Sequence, residues 1–250
     1  MGQKAEPAAL VTLDRGNTTL DVMRWGPTPQ RWRLRPDDLQ GLREVLHRTP
    51  AGVVGCTAVP DGLGPATAVA REFRLRLLQA GPDLPCPMPL RYREPATLGI
   101  DRWVAALAAY GLHGEAVVVD CGTAVTVDVV TSAGEFVGGA IAPGLAAMAR
   151  GLAATAPSLP SPDLGIAIDG VPTTSEDAVR TGCVVGFVGA VERLVGDLER
   201  SAGLRAATYV LTGGDAPRCL ALSRLSFCHE PALIHQGLRE LWRRAYPDGS

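Results

Sequence analysis

The sequence predicts an α/β protein, and three observations lead to that prediction. Short segments rich in Val, Leu and Thr, typical of strands, alternate with segments of helical composition in both halves of the chain. The length of 250 residues and the hydrophobic content of 46% suffice for one large core or two modest ones. A pattern of apolar strand, acid and glycine occurs near position 14 and again near position 120.

The elements of the first half follow from turn residues and from helix start and stop signals. The sequence predicts two strands and a polar turn in 9–26, a strand in 52–60, a helix in 65–81, a Pro-rich connection in 81–95 and a helix in 101–111.

The second half begins with the same succession of strand, acid, glycine, hydroxyl and strand in 117–130. We then expect a Gly-rich turn at 138–144, a helix near 175–201, a strand in 207–214 and a closing helix in 232–246. The predicted domains are 10–114 and 115–250, preceded by a disordered tail at 1–9.

Composition excludes several classes of function. The formal net charge of −2 gives no basic surface for nucleic acid or acidic membranes. No apolar run approaches the roughly 18 residues that a membrane helix needs, and no signal peptide is evident. The six cysteines and four histidines are scattered, which indicates reduced thiols in a cytoplasmic protein and neither a zinc site nor a disulfide framework.

The repeat itself suggests phosphate chemistry. An offset of 106 residues places Asp14 on Asp120 and Gly16 on Gly122. A glycine turn exposes N–H groups that can hold phosphate oxygens, and a carboxylate beside them calls for a cation such as Mg²⁺ between acid and phosphate. Either aspartate alone is explained by turn stabilisation. The pair, with the Gly-rich "LTGG" as a third turn, favours nucleotide binding.

A third acid, Asp101, stands after Gly99 at the start of a predicted helix. It is either a helix N-cap, worth about 1 kcal/mol, or a general base that accepts a hydroxyl proton during phosphoryl transfer. In the second case Arg102 would bind an anionic group of the acceptor. The residues alone leave both interpretations open.

Three segments follow one another along the chain: "GIDRW" (99–103), "DCGTA" (120–124) and "GGAIAPGL" (138–145). They are accompanied by "LDRGNTTL" (13–20), "CTAVP" (56–60), "TSEDAVRTG" (174–182), "TGGDA" (212–216) and "EPALIHQGL" (230–238). Together, and with the first three as the most specific, these segments resemble the type III pantothenate kinases along nearly the whole chain.

The resemblance implies two duplicated ribonuclease-H-like domains of the actin/hexokinase (acetate and sugar kinase) superfamily. It implies phosphorylation of pantothenate by ATP, the first step of coenzyme A biosynthesis, with Mg²⁺ and a monovalent cation, K⁺ or NH₄⁺. It also implies a homodimer whose active site lies near the interface.

Site residues are implied in the same way. Asp101 matches the catalytic base, and Asp14 and Asp120 match the acids associated with Mg²⁺. The remaining positions match phosphate-binding turns, the turn near the nucleoside and the pantothenate pocket. They are Gly16, Asn17, Thr18, Gly122 and Thr123 for the phosphates, Gly213 and Gly214 for the nucleoside, and Tyr92, Gly99, Ile100, Arg102 and Ser175 for pantothenate.

Three positions depart from the family pattern. Arg15 stands where a small or apolar residue is expected, Glu94 replaces an Asn near the pocket, and Ser175 replaces a Thr. Two alternatives to an active pantothenate kinase follow: a weak or inactive relative acting in regulation or partner binding, and a kinase of the same superfamily for a sugar or another small acid. The three intact acids argue against the first, and "GIDRW" argues against the second.

Overall fold

A computed structural model describes residues 10–47, 50–59, 62–165 and 169–247. The expected tail at 1–9 lies outside these residues. The chain divides into two compact units: the described parts of Met1–Gly111 and Ala232–Ser250 form the first, and those of Leu112–Pro231 form the second. Within the described residues, no helix has both the length and the apolar character needed to cross a membrane.

The first unit contains a five-stranded mixed sheet. Its strands are β1 (Leu10–Arg15), β2 (Leu20–Arg24), β3 (Gln30–Leu34), β4 (Gly52–Thr57) and β5 (Leu77–Gln79), in the spatial order β3-β2-β1-β4-β5. The first three strands pair antiparallel, and β4 and β5 extend the sheet in parallel from β1. This part of the chain also forms three helices: α1 (Leu39–Leu46), α2 (Gly64–Glu72) and α3 (Ile100–His113).

The second unit repeats this topology. Its strands are β6 (Ala116–Cys121), β7 (Ala124–Val130), β8 (Phe136–Pro143), β9 (Thr208–Thr212) and β10 (Cys228–His229), in the order β10-β9-β6-β7-β8. Again the first three strands pair antiparallel and the last two extend the sheet in parallel. Its helices are α4 (Leu145–Thr155), α5 (Ser175–Ala202) and α6 (Ala216–Leu222). The duplication suggested by the two acid–glycine turns is therefore a duplication of the whole sheet.

Alternation along the strands builds each core. In β1, Val11 and Leu13 point to one face and are fully buried with Leu42 of α1 and Val69 of α2. In the second unit, Val117 and Val119 of β6 and Val125 and Val127 of β7 share a core with Val184, Phe187 and Val191 of α5. Since side chains alternate, Asp14 and Asp120 lie on the opposite faces of their sheets from these helices.

Residues 138–144, predicted to be a turn, mostly belong to strand β8. Residues 138–143 pair with β7 from Val129↔Gly138 to Ala124↔Pro143. The glycines suit a strand here because the neighbouring strand comes very close: a Cβ on Gly139 would lie 2.1 Å from the Val127 carbonyl oxygen. The prediction of a turn was wrong because glycine content alone does not separate a turn from closely approaching strands.

Two predicted helices have different ends. The helix expected over 65–81 stops at Glu72, since Arg74 adopts a positive φ of 60° and Leu77–Gln79 pairs with β4 as β5. The helix expected over 101–111 runs from Ile100 to His113, with Gly111 inside it and Gly114 (φ 74°) after its end. The other predicted strands and helices are present.

The last helix, α7 (Leu233–Ala245), belongs to the first unit. The division expected from the sequence, 10–114 and 115–250, places it in the C-terminal domain. Its partners explain the difference: Leu233 and Leu238 are fully buried, and Gly237 contacts α3 so closely that a Cβ would lie 2.2 Å from the Val104 carbonyl oxygen. Trp242 covers Gly52 of β4 in the same way.

Candidate active site

Asp14 lies at the carboxyl end of β1, where the first acid–glycine turn begins. It is half-buried, and the Cys56 thiol of the paired strand β4 lies 3.6 Å from its Oδ1. The Gly16 N–H donates to the Thr19 carbonyl at 3.0 Å and closes the turn. Asn17 and Thr18 at its tip are exposed, so their amide and hydroxyl groups face solvent beside the carboxylate.

Arg15, the unexpected residue in this turn, directs its side chain toward Gly62. Its Cγ would lie 3.1 Å from a Cβ placed on Gly62, and its Nη1 is buried with no hydrogen-bond partner among the described residues. Its carbonyl accepts from Thr57 Oγ1 at 3.2 Å and from the Ala58 N–H at 3.2 Å. The backbone of Arg15 thus ties the first turn to the end of β4.

The second acid–glycine turn is shorter but has the same construction. Asp120 is half-buried on β6, and the Gly122 N–H donates to the Ala124 carbonyl at 3.1 Å. Thr123 is exposed at the tip. A Cβ on Gly144 would lie 2.2 Å from the Gly122 carbonyl oxygen, so the end of "GGAIAPGL" abuts this turn.

The third turn, after β9, packs directly on the second. Gly213 has φ 95°, and a Cβ there would lie 2.5 Å from Asp120 Oδ1 and 2.5 Å from the Cys121 backbone nitrogen. The Asp215 N–H donates to the Cys121 carbonyl at 3.0 Å. Asp120 and the two predicted glycines Gly213 and Gly214 therefore meet at one edge of the second sheet.

Two contributors to this edge, Gly144 and Asp215, were not among the predicted site residues. Burial raises the pKa of the Asp215 carboxyl, partly opposed by the nearby Arg218 guanidinium. The "TGGDA" segment contained Asp215, and "APGL" contained Gly144. Neither segment showed that its residue would contact the second turn.

Cys121, between Asp120 and Gly122, is fully buried. Its sulfur lies 3.7 Å from that of Cys219 on α6. Contact with the Cys219 thiol, burial and the nearby Asp120 carboxylate raise the pKa of Cys121 far above its ordinary value. The Cys121 thiol therefore stays protonated and neutral, and Cys121 packs as a small buried side chain.

The third acid lies in the first turn of α3. The Arg102 N–H donates to Asp101 Oδ1 at 2.9 Å. Burial raises the pKa of Asp101, while that hydrogen bond and the Arg102 charge lower it by less. Ile100, not Asp101, is the first helical residue, so Asp101 is not the N-cap of α3.

The segment before α3 shapes the surroundings of this carboxylate. A Cβ on Gly99 would lie 2.6 Å from Asp101 Oδ1, and a Cβ on Gly81 would lie 3.0 Å from Ile100 Cδ1. Arg102 is only 6% exposed, and its guanidinium lies 5.8 Å from the centre of the Tyr92 ring, at the outer limit of a cation–π contact. Glu94 is exposed and begins the short 3-10 helix Pro95–Thr97 with its carbonyl group.

Ser175 lies in the second unit as the first residue of α5, and it is exposed. Thr174 caps the helix by accepting from the Asp177 N–H at 3.1 Å. The Ser175 hydroxyl is therefore exposed at the first residue of the helix.

The structure brings the predicted residues into four groups: the Asp14 turn, the start of α3, the Asp120 and Gly213 turns, and the start of α5.

Comparison with known proteins identifies the family behind these groups. The family profile of the type III pantothenate kinases matches residues 10–197. A type III pantothenate kinase of Parafrankia sp. (strain EAN1pec) is 34% identical over 255 residues, covering 94% of this chain and 98% of that protein.

Solved structures confirm the fold class. A Campylobacter jejuni protein assigned to the Baf family of transcriptional activators aligns with a TM-score of 0.63 at 20% identity, covering 95% of this chain and 99% of that one. MreB5 of Spiroplasma citri, bound to AMPPNP, aligns with a TM-score of 0.54 at 11% identity, covering 98% and 100%. At these identities the likeness concerns the fold alone, which is that of the actin-like ATPases.

Proposed function

The chain belongs to the type III pantothenate kinase family, and on that premise we propose that it transfers the γ-phosphoryl group of ATP to the 4′-hydroxyl of pantothenate. The product is 4′-phosphopantothenate, and the reaction opens coenzyme A biosynthesis. One observation carries the proposal: the first strand of each sheet has an aspartate as its last residue but one, and a turn that a glycine N–H closes follows the strand. This is the construction expected of a site that holds a polyphosphate.

We assign nucleotide binding to the three turns. In the first turn, Gly16, Asn17 and Thr18 offer backbone and side-chain donors to phosphate oxygens. In the second, Gly122 and Thr123 do the same, while Gly213 and Gly214 approach the nucleoside. Support comes from the exposure of Asn17, Thr18 and Thr123 at the tips of their turns.

Asp101 is the proposed general base. Burial raises the pKa of the Asp101 carboxyl, and a carboxylate with a raised pKa is a stronger base than an exposed one. Asp101 accepts the proton of the 4′-hydroxyl as its oxygen attacks the γ-phosphorus in line with the leaving group. The hydrogen bond from the Arg102 N–H holds Oδ1 in place and leaves Oδ2 as the proton acceptor.

The acceptor pocket is proposed to surround this base. Arg102 pairs with the pantothenate carboxylate, with Tyr92 beside its guanidinium. Gly99 and Ile100 form the wall next to Asp101. The Ser175 hydroxyl is assigned to pantothenate on the family resemblance alone. Glu94 is exposed, and its negative charge lowers the affinity for the anionic substrate.

Asp14 and Asp120 each offer Mg²⁺ a half-buried carboxylate near the end of a strand, and the ion prefers one or two carboxylates together with phosphate oxygens and water. When bound, Mg²⁺ would neutralise charge on the phosphates; the turns and Asp101 supply the remaining positioning and proton transfer. K⁺ or NH₄⁺ as a second cation, a homodimer with its active site near the interface, and a cytoplasmic location complete the proposal on the strength of the family resemblance.

The test is turnover of purified protein with ATP, Mg²⁺ and pantothenate, in buffers with and without K⁺ or NH₄⁺, read by mass spectrometry of the product. We expect 4′-phosphopantothenate, and more of it with the monovalent cation. Sugars and other small hydroxy acids serve as competing acceptors. Phosphorylation of one of these in preference to pantothenate, or no product from folded protein under any cation, would overturn the proposal.

A further inference from the structure

Three potential metal ligands meet in the second unit, outside the residues assigned to ATP and pantothenate. They are His113 at the end of α3, Cys228 of β10 and Glu230 just after β10. All three are half-buried. The Glu230 N–H donates to the Leu211 carbonyl at 2.9 Å, and this bond fixes the segment to β9. Scattered in sequence, these residues gave no sign of a metal site, and only the fold brings them together.

Their donor atoms converge on one point. His113 Nε2 lies 3.3 Å from Glu230 Oε1 and 3.7 Å from Cys228 Sγ, and Cys228 Sγ lies 3.8 Å from Glu230 Oε1. A tetrahedral zinc ion with Zn–S of about 2.3 Å and Zn–N and Zn–O of about 2.1 Å would separate nitrogen and oxygen by about 3.4 Å and either from sulfur by about 3.6 Å. The three observed separations match the edges of such a tetrahedron to within about 0.2 Å.

The arrangement does not suit a nucleophilic triad. In a triad the acid binds one imidazole nitrogen and the nucleophile faces the other. Here the thiol and the carboxylate both approach Nε2. Three donors around a single centre are the geometry of ligation.

The donor chemistry selects the metal. Imidazole nitrogen and thiolate sulfur suit Zn²⁺, whereas Mg²⁺ and Ca²⁺ prefer sets made of oxygen alone. We propose that His113, Cys228 and Glu230 bind a Zn²⁺ ion, with water as the fourth ligand. The ligands lie close to the first and the last residue of the second unit, Leu112–Pro231. The ion therefore joins the two ends of this unit and has a structural role.

The first experiment titrates the full-length, chelator-treated protein with Co²⁺ and then with Zn²⁺, without ATP or pantothenate. We expect one ion per chain and a thiolate-to-cobalt charge-transfer band in the near ultraviolet, which the carboxylates of the nucleotide site cannot give. Cys228→Ser should abolish the band, and His113→Ala and Glu230→Gln should each weaken Zn²⁺ binding by at least about tenfold.

Matched controls separate this site from adventitious binding. His229→Ala removes an exposed imidazole next to Cys228, and Cys86→Ser removes a half-buried thiol of the first unit. Both variants should bind Zn²⁺ like the parent protein. The proposal is overturned if the band is absent, if it survives Cys228→Ser, or if His229→Ala weakens binding as much as His113→Ala does.

A second measurement needs no variant and so does not depend on the folding of one. Iodoacetamide is applied to the parent protein with and without Zn²⁺, and the alkylated cysteines are mapped by mass spectrometry. We expect Zn²⁺ to slow alkylation of Cys228 by at least about tenfold, while that of Cys86 is unchanged. Equal alkylation of Cys228 in both conditions contradicts the proposal.

Discussion

The position of Asp101 depends on the absence of a side chain at Gly99. Gly99 precedes Asp101 by two residues, and a Cβ at that position would lie 2.6 Å from Asp101 Oδ1. Real Cβ atoms do not approach an oxygen so closely, so a side chain there must displace the carboxylate. The backbone turn before α3 and the position of the proposed base are therefore coupled through one glycine.

Gly99→Ala should lower kcat for 4′-phosphopantothenate by about 10²-fold or more, because misplacing a reacting group by about 1 Å has that effect. Folding should change little, since the added Cβ meets the end of a side chain and not the backbone. Gly111→Ala is the matched control: that glycine lies within α3 with open space around its Cα. It should keep the parent kcat and gain a little stability from helix propensity. A Gly99→Ala enzyme with the parent kcat would show that Asp101 is not held where catalysis needs it.

Individual site residues were predictable from the sequence to different degrees. Asp14 and Asp120 were found because acid, glycine and hydroxyl recur at one offset. Gly99 was found only through the family resemblance, since its contact with Asp101 depends on the fold of the connection before α3. Asp215 and Gly144 were missed because nothing local marks a residue that contacts a turn from another strand.

At the scale of elements, the turn after β9 depends on Gly213. Its φ of 95° is unfavourable for any residue with a Cβ, and the added atom would lie 2.5 Å from Asp120 Oδ1. Gly214, the next residue, has open space around it. The two adjacent glycines therefore differ sharply in what a methyl group would meet.

Gly213→Ala should lower the melting temperature by several degrees, equivalent to about 1–3 kcal/mol of backbone strain, and weaken ATP binding at least about tenfold. Gly214→Ala should melt within about a degree of the parent protein. Calorimetry and titration with ATP measure the two effects. A Gly213→Ala protein as stable as Gly214→Ala would contradict the described turn.

The helix α7 is attached to the first sheet by a buried polar group. His235 is 2% exposed; its Nδ1 lies 2.9 Å from Thr12 Oγ1, and its Nε2 lies 3.2 Å from Asp21 Oδ1. Arg31 donates two hydrogen bonds to the same carboxylate, at 2.8 and 2.6 Å. Burial lowers the pKa of His235, more than the neighbouring Asp21 raises it, and Arg31 and Arg33 add to the lowering.

This group makes stability depend on pH. The unfolded chain takes up a proton on His235 near pH 6.5, whereas the folded chain resists it. The contribution of neutral His235 to the free energy of unfolding is fully present above pH 6.5. It declines as the pH falls below that value, by at most about 1.4 kcal/mol per pH unit for this one group. Asp21 adds a loss at more acidic pH: burial raises the pKa of its carboxyl, but the hydrogen bonds and charges of Arg31 and His235 together outweigh burial and hold that pKa well below the ordinary value.

The measurement is urea unfolding followed by tryptophan fluorescence between pH 8 and pH 5. All four tryptophans, at 25, 32, 103 and 242, belong to the first unit, so the signal reports that unit alone. His235→Gln should flatten the decline below pH 6.5, and His47→Gln, at an exposed position, should leave it unchanged. An identical decline in the parent and His235→Gln would show that this imidazole is not the source.

Local sequence patterns predicted most helices and strands. They did not predict the strand pairing that decides whether an ambiguous segment is a strand or a turn. Strand β8 was taken for a turn because its glycines are turn residues when considered alone. The short strands β3, β5 and β10 were not predicted; each gains its strand conformation from the neighbour it pairs with.

At the scale of the whole molecule, the order of the elements along the chain does not match their division between the two units. The C-terminal helix α7 follows the second sheet in the chain but buries its apolar side in the first unit. The two topologically equivalent sheets were predictable from the repeated turns. The return of α7 was not, because an amphipathic helix does not specify which sheet it covers.

A chain ending after Pro231 lacks α7 and should therefore lose stability in the first unit, although the deleted segment follows the second unit in sequence. Loss of three buried leucines, Leu233, Leu238 and Leu241, accounts for several kcal/mol. Limited proteolysis with fragment mapping should find new cleavage between residues 10 and 111 and continued protection between 112 and 231. Cleavage confined to the second range would contradict the assignment of α7.

The proposed function of the whole molecule depends on Asp101 acting as the base of a pantothenate kinase. The most direct measurement compares Asp101→Asn with the parent enzyme, using kcat for 4′-phosphopantothenate and the Kd of ATP by calorimetry without pantothenate. We predict that kcat falls by about 10²–10⁴-fold while the Kd of ATP changes less than about twofold, since general base catalysis contributes in that range and the ATP turns are untouched. An Asp101→Asn enzyme that retains the parent kcat would contradict the proposed mechanism.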